Sequence, residues 1–171
     1  KQNTIAKVPA TIYLTASSLK MKTGQSTTAF KATGFSEGDY VTAVTSNKPG
    51  TVKVTNVNKN GTFKLTAGKK KGSAVVTVTL ASKKTASFKV TVQKAAVKTT
   101  KITTTTKSLT LAKGATYKKL ASSIAVTPIT SKEKVTYSSS NKKVATVSSK
   151  GVIKAKKAGT AKITVTVIFA V

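Results

Sequence analysis

The chain has no cysteine, no histidine, no arginine and no tryptophan, and its only acids are Glu37, Asp39 and Glu133. Without histidine or cysteine, the usual general bases, thiolate nucleophiles and transition-metal ligands are gone. A glycosidase needs two carboxylates flanking one bond, whereas Glu37 and Asp39 share one short stretch and Glu133 lies far downstream. Glu37-Gly38-Asp39 offers calcium too few oxygen ligands among so many lysines. Serine and lysine are everywhere, so a Ser–Lys dyad gives no distinguishing signal. A Lys–Asn crosslink would need an acid in each core. The expectation is no enzyme, no metal and no cofactor. No apolar run approaches the ~20 residues of a membrane-spanning helix. Absent cysteine leaves any small domain without a disulfide staple and is neutral on compartment. The first residue is Lys1 rather than Met, which reads as a mature or excised fragment.

What the chain has instead is lysine. All 31 basic residues are lysines, and the formal net charge is +28. Such a field attracts anionic polymers and repels copies of itself, and physiological salt confines it to roughly 8 Å. Lysine is a mobile point charge, whereas bidentate reading of bases or phosphates favours the guanidinium fork. The charge therefore predicts sequence-blind attraction and no sequence-specific nucleic acid.

The 171 residues contain an internal repeat. Leu109, Leu111, Gly114 and Gly151 repeat Leu19, Met21, Gly24 and Gly61 at an offset of 90. Gly159-Thr160-Ala161-Lys162-Ile163-Thr164-Val165 repeats Gly72-Ser73-Ala74-Val75-Val76-Thr77-Val78 at an offset of 87. That period suits a whole small β-domain. Short alternating apolar runs punctuated by turns predict strands in both copies. In the first they centre on Ile12–Leu14, Leu19–Met21, Thr28–Ala32, Tyr40–Val44, Val52–Val57, Phe63–Leu65, Ala74–Leu80 and Phe88–Val92. Asn60-Gly61 predicts a tight hairpin. In the second copy the runs include Ile102, Leu109–Leu111, Tyr117–Leu120, Ile124–Val126, Val135–Tyr137, Val144–Val147, Val152–Ile153 and Ile163–Phe169. Tyr13, Tyr40, Tyr117 and Tyr137 read as core rather than as a stacking platform. The fold class is all-β, two tandem immunoglobulin-like β-sandwich domains at 8–93 and 101–171 with a linker at 94–100. A short linker and like charge predict two sandwiches in line with a small interface.

Ser139-Ser140-Asn141, Val144-Ala145-Thr146-Val147, Gly151, Ala155, Gly159-Thr160-Ala161, Ile163 and Val165 resemble the group 2 bacterial immunoglobulin-like (Big) domain. The first copy resembles it through Ser46-Asn47, Val52, Val54, Gly61, Thr66-Ala67, Gly72-Ser73-Ala74, Val76 and Val78. Val8-Pro9-Ala10 is similar to the usual start of such a domain. In the first copy Pro49-Gly50-Thr51 replaces the expected Val-Ala stretch. The resemblance implies an extracellular module, on a bacterial surface, a phage particle or a secreted protein, serving as a spacer or adhesive arm. It implies no catalytic residues. The motif is itself structural: Ser-Asn supplies turn acceptors and the glycines permit bends.

Two features carry binding hypotheses. Lys69-Lys70-Lys71 and Lys154, Lys156 and Lys157 occupy equivalent places ahead of the final hairpin. They read either as a solvated, edge-guarding surface or as contacts for anionic cell-wall polymer or glycan. Another surface protein is the alternative partner. In the first copy, 20 residues separate Gly72 from Val92, but only 12 follow Gly159. The second domain therefore reads as lacking its last strand. Either the sequence is cut inside the domain, or a neighbouring copy supplies the strand through residues 1–8, as in a filament or S-layer.

Overall fold

The computed structural model of the chain describes residues 11–168, which divide into two compact units between Val97 and Lys98. Val8-Pro9-Ala10, the lead-in at 1–8 and Phe169 lie outside the described residues.

The first unit contains β1 (Tyr13–Leu14), β2 (Ser18–Lys22), β3 (Ser26–Thr27), β4 (Ala32–Thr33), β5 (Val41–Ser46), β6 (Val52–Thr55), β7 (Lys64–Ala67), β8 (Gly72–Leu80) and β9 (Thr85–Gln93). One sheet runs β2-β9-β8-β5 and a second β3-β7-β6, while β1 pairs with β4. Neighbours are antiparallel except β2, which lies parallel to β9 with Leu19 opposite Val90 and Met21 opposite Val92. The alternation that marks β8 and β9 in the sequence is the cause of the layering. Ala74, Val76, Val78 and Leu80 turn inward with Phe88, Val90 and Val92, and the residues between them face out.

Three aromatic rings fill the centre. Phe30 stacks on Phe88 with centroids 4.0 Å apart, and Phe63 lies 6.2 Å from Phe30 and 6.3 Å from Phe88. Burying each phenylalanine contributes on the order of 1.5–3 kcal/mol, and each ring pair about 0.5–1.5 kcal/mol more. The tight hairpin expected at Asn60-Gly61 is instead a longer connection, residues 56–63 joining the paired Thr55 and Lys64, and only Gly61 of the two takes positive φ. Within it Gly61 N–H donates to the Asn58 carbonyl (3.0 Å) and Asn58 N–H to that of Thr62 (2.9 Å). Gly61 has φ of 84°, and a Cβ there would run into the Ala32 carbonyl. Only glycine meets both demands.

Tyr13 and Tyr40 depart from the expected core placement, with 63% and 39% of their surfaces exposed. Alternation is the reason. Ile12 and Leu14 take the inward face around Tyr13, and Val41 takes it beside Tyr40. The Lys59 ammonium sits 5.0 Å from the centre of the Tyr40 ring, a cation–π contact that suits an outward-facing ring.

The second unit contains β10 (Lys101–Thr104), β11 (Thr116–Tyr117), β12 (Ile124–Thr127), β13 (Lys134–Ser139), β14 (Ala145–Val147), β15 (Ile153–Ala155) and β16 (Ile163–Ile168), with a single 3-10 turn at Ala121–Ser123. β10 pairs with β12, β11-β15-β14 form one sheet, and β13 pairs with β16. The chain is thus all-β, with sheets packed face to face through apolar side chains. The second core is thinner, comprising Leu120, Val144, Ile153, Ala155 and Val167. Leu109 and Leu111, expected as a strand, are in none; Leu109 is 42% exposed, whereas its counterpart Leu19 is 3% exposed. Thr99 and Thr100, within the expected linker, bond into this unit: Thr99 N–H donates to Glu133 Oε2 (2.7 Å) and Thr100 N–H to the Thr127 carbonyl (2.7 Å).

Candidate functional site

The six lysines singled out in the sequence are all exposed. Lys69, Lys70 and Lys71 form the loop between β7 and β8, bracketed by Gly68 and Gly72. Lys154 sits on β15 between buried Ile153 and Ala155, so strand alternation turns it outward. Lys156 and Lys157 follow directly, and their backbone N–H groups both donate to the Val144 carbonyl (2.8 and 3.3 Å). That anchor fixes the backbone and leaves the side chains in solvent. Each triplet therefore precedes the same kind of strand in its own unit, β8 in one and β16 in the other. Every other described lysine except half-buried Lys64 is exposed as well.

Two of the three acids serve the fold. Asp39 Oδ1 accepts the N–H groups of Tyr40 (3.0 Å) and Ser82 (3.2 Å), and its Oδ2 accepts the Ser82 hydroxyl (2.7 Å). Glu133 holds the start of the second unit through Thr99, as above. Glu37 is exposed. Among the described residues, no three carboxylate, imidazole or thiol groups gather as metal ligands, and no helix is long and apolar enough to cross a membrane.

A feature not singled out as a cavity in the sequence is a groove of about 730 Å³ in the second unit. Its floor includes Leu109, Leu111, Leu120, Ile153, Ile163 and Val165. By the repeat offsets these correspond to Leu19, Met21, Phe30, Phe63, Val76 and Val78. In the first unit those six residues are buried, and β9 lies between β2 and β8. The groove therefore occupies the place that β9 fills in the first unit. Among the described residues, β16 pairs only with β13.

Among the described residues, the edge is open in its hydrogen bonding too. Ser140 N–H donates to the Lys162 carbonyl (2.9 Å) and Lys162 N–H to Ser140 Oγ (2.8 Å), so the peptide groups of Lys162 point toward the β13 side. Peptide groups alternate sides along a strand. Those of Ile163, Val165 and Val167 consequently point to the groove.

Residues 98–168 match the family model described as bacterial Ig-like domain (group 2), which supports a bacterial Ig-like domain in the second unit. No curated protein matches the chain. Among solved structures, it is similar to domains 4 and 5 of the S-layer protein SbsC, with 27% identity, a TM-score of 0.40, and coverage of 48% of this chain and 50% of that one. It is also similar to SbsC domains 5–6, with 18% identity, a TM-score of 0.44, and coverage of 91% and 89%. For the longer S-layer protein rSbsC(31-844) the values are 19%, 0.43, 92% and 21%. The chain thus spans half of the first of these structures and about a fifth of the last.

Proposed function

We propose that the chain is a non-catalytic extracellular module of a bacterial surface protein, acting as a spacer or adhesive arm. The observation that carries this reading is the match of residues 98–168 to the bacterial Ig-like domain. The use of side chains agrees with it: apolar residues are spent on two sandwich cores, and two of the three acids on holding backbone. Antibody against the chain should label intact producing cells, and protease added outside should remove the label. Labelling that appears only after permeabilisation would refute the surface placement.

A second reading, polyanion binding, draws support from the exposure of Lys69, Lys70, Lys71, Lys154, Lys156 and Lys157. Its ligand would be an anionic wall polymer or glycan, held loosely and released by salt. A third reading, strand exchange in a surface assembly, draws support from the side of β16 that has no partner among the described residues.

A further inference from the structure

We propose that each unit carries at one end a crown of lysines that holds a linear phosphodiester polymer, of the kind built from glycerol phosphate. This rests on the polyanion reading and names its surface and its ligand chemistry. In the first unit three turns meet at that end. Gly24 N–H donates to the Gly68 carbonyl (3.1 Å), and Gly68 N–H to that of Thr51 (2.8 Å). Those bonds gather the turns that carry Lys22, Lys48, Lys69, Lys70 and Lys71, all exposed. The corresponding turns of the second unit meet in the same way. Gly114 N–H donates to the Ala155 carbonyl (2.9 Å), and the N–H groups of Lys156 and Lys157 go to that of Val144. Lys143 N–H in turn bonds Asn141 Oδ1 (3.1 Å). The crown there is Lys113, Lys142, Lys143, Lys156 and Lys157, again all exposed. Lys154 projects from the sheet face of β15 and lies outside it.

Acids are kept away from the crown in both units. β5 runs from Val41, opposite Leu80, to Ser46, opposite Val76, and Glu37 and Asp39 precede its start. β13 runs from Lys134, opposite Ile168, to Ser139, opposite Ile163, and Glu133 precedes its start. Acids and crown therefore lie at opposite ends of a strand about 17–20 Å long. A charge in physiological salt reaches roughly 8 Å, so within each unit no carboxylate offsets the crown. Lysines gathered without a counter-charge draw anions to themselves. The residue types select among anions. An ammonium is a mobile point charge with three donors, suited to phosphate oxygens that recur along a flexible chain. These turns contain no tyrosine or phenylalanine, and the exposed Tyr40 lies beside Asp39 at the other end. Bases would thus find no surface to stack on, and a phosphodiester without bases uses all that the crown offers.

The test is fluorescence anisotropy of labelled poly(glycerol phosphate) with the full chain, over a range of salt. We expect saturable binding that weakens steeply as salt rises. Glutamine at Lys22, Lys48, Lys69, Lys70 and Lys71 should weaken it at least about tenfold and flatten the salt dependence. Glutamine at Lys31, Lys53, Lys59, Lys83 and Lys89 removes the same charge from the rest of the first unit. That control should weaken binding by no more than about threefold. All these side chains are exposed, so both variants should keep the fold, which urea unfolding checks. Glutamine at Lys113, Lys142, Lys143, Lys156 and Lys157 should also weaken binding, and the two crown variants combined should weaken it more than either. Equal loss from the crown variant and the control in the first unit would overturn the crown, while leaving net charge to carry the polyanion reading. Tighter binding of single-stranded DNA or of polyglutamate, each matched in charge, would overturn the choice of a phosphodiester without bases. Failure of all three polymers to bind would end the polyanion reading itself. None of these outcomes bears on surface placement, which the cell-labelling experiment reads separately.

Discussion

Ser140 and Lys162 hold each other through two hydrogen bonds, and in the first unit Asn47 and Val75 do the same: Asn47 N–H donates to the Val75 carbonyl (3.0 Å) and Val75 N–H to Asn47 Oδ1 (2.8 Å). A turn side chain thus extends the ladder by one rung in each unit, on strands β5 and β8 or β13 and β16. Ser140→Ala should cost the second unit about 1 kcal/mol, and Asn47→Ala the first unit a similar amount. Amide hydrogen exchange, which reads each unit separately, should place each loss in its own unit. Equal loss in both units from either change would show that the clamp is not local.

The aromatic centre of the first unit sets its stability. Phe88→Ala removes the ring stacked on Phe30 and leaves a cavity against Phe63, at a cost of about 3–5 kcal/mol. Urea unfolding should show the first unit's transition moved to much lower denaturant. A shift no larger than that of a surface substitution would mean the cluster is not packed as described.

Two glycines with nearly the same backbone separate strain from space. Gly24 has φ of 76° with nothing within 4 Å of a Cβ, and Gly61 has φ of 84° with the Ala32 carbonyl in the way. Gly24→Ala should destabilise by about 1 kcal/mol, the left-handed penalty alone. Gly61→Ala should destabilise by clearly more, because backbone must also shift. Equal losses, measured by urea unfolding, would show that the loop tip gives way freely.

Replacing Lys69, Lys70 and Lys71 with glutamine should leave stability within about 0.5 kcal/mol, since all three side chains are in solvent. The same change should lower the salt concentration at which the chain elutes from immobilised anionic polymer. Glutamine at Lys154, Lys156 and Lys157 should act in the same direction. Unchanged elution for both triple variants would assign the attraction to the remaining lysines and end the case for these six as contacts.

Strands with clean alternation were legible even where their partner is distant, as β2 and β5 show, and most plainly where the partner is the next strand. β8 and β9 carry unbroken alternation, and a short turn joins them, so pattern and pairing coincide. Leu109 and Leu111 carry the same alternation as Leu19 and Met21, yet form no strand. β2 is a strand because β9 lies beside it, and no described strand lies beside residues 109–111. Periodicity states which face a residue prefers, but pairing depends on a partner distant in sequence. Tyr13 and Tyr40 show the same limit, since hydrophobic character alone does not say which parity faces in. The lysine surface was legible residue by residue, because strand alternation and turn position both send lysine outward. The groove as a cavity was not, because its floor is assembled from four separate stretches of chain.

The parallel pairing of β2 with β9 gives the first unit a mechanical character. After β1 the chain runs along Ser18–Lys22, and it leaves along Lys89–Gln93; these segments lie side by side in the same direction. Tension between the two ends drags one strand down and the other up, so their shared hydrogen bonds are loaded together in shear rather than peeled one at a time. Under a pulling force those bonds must give way together before the first unit opens.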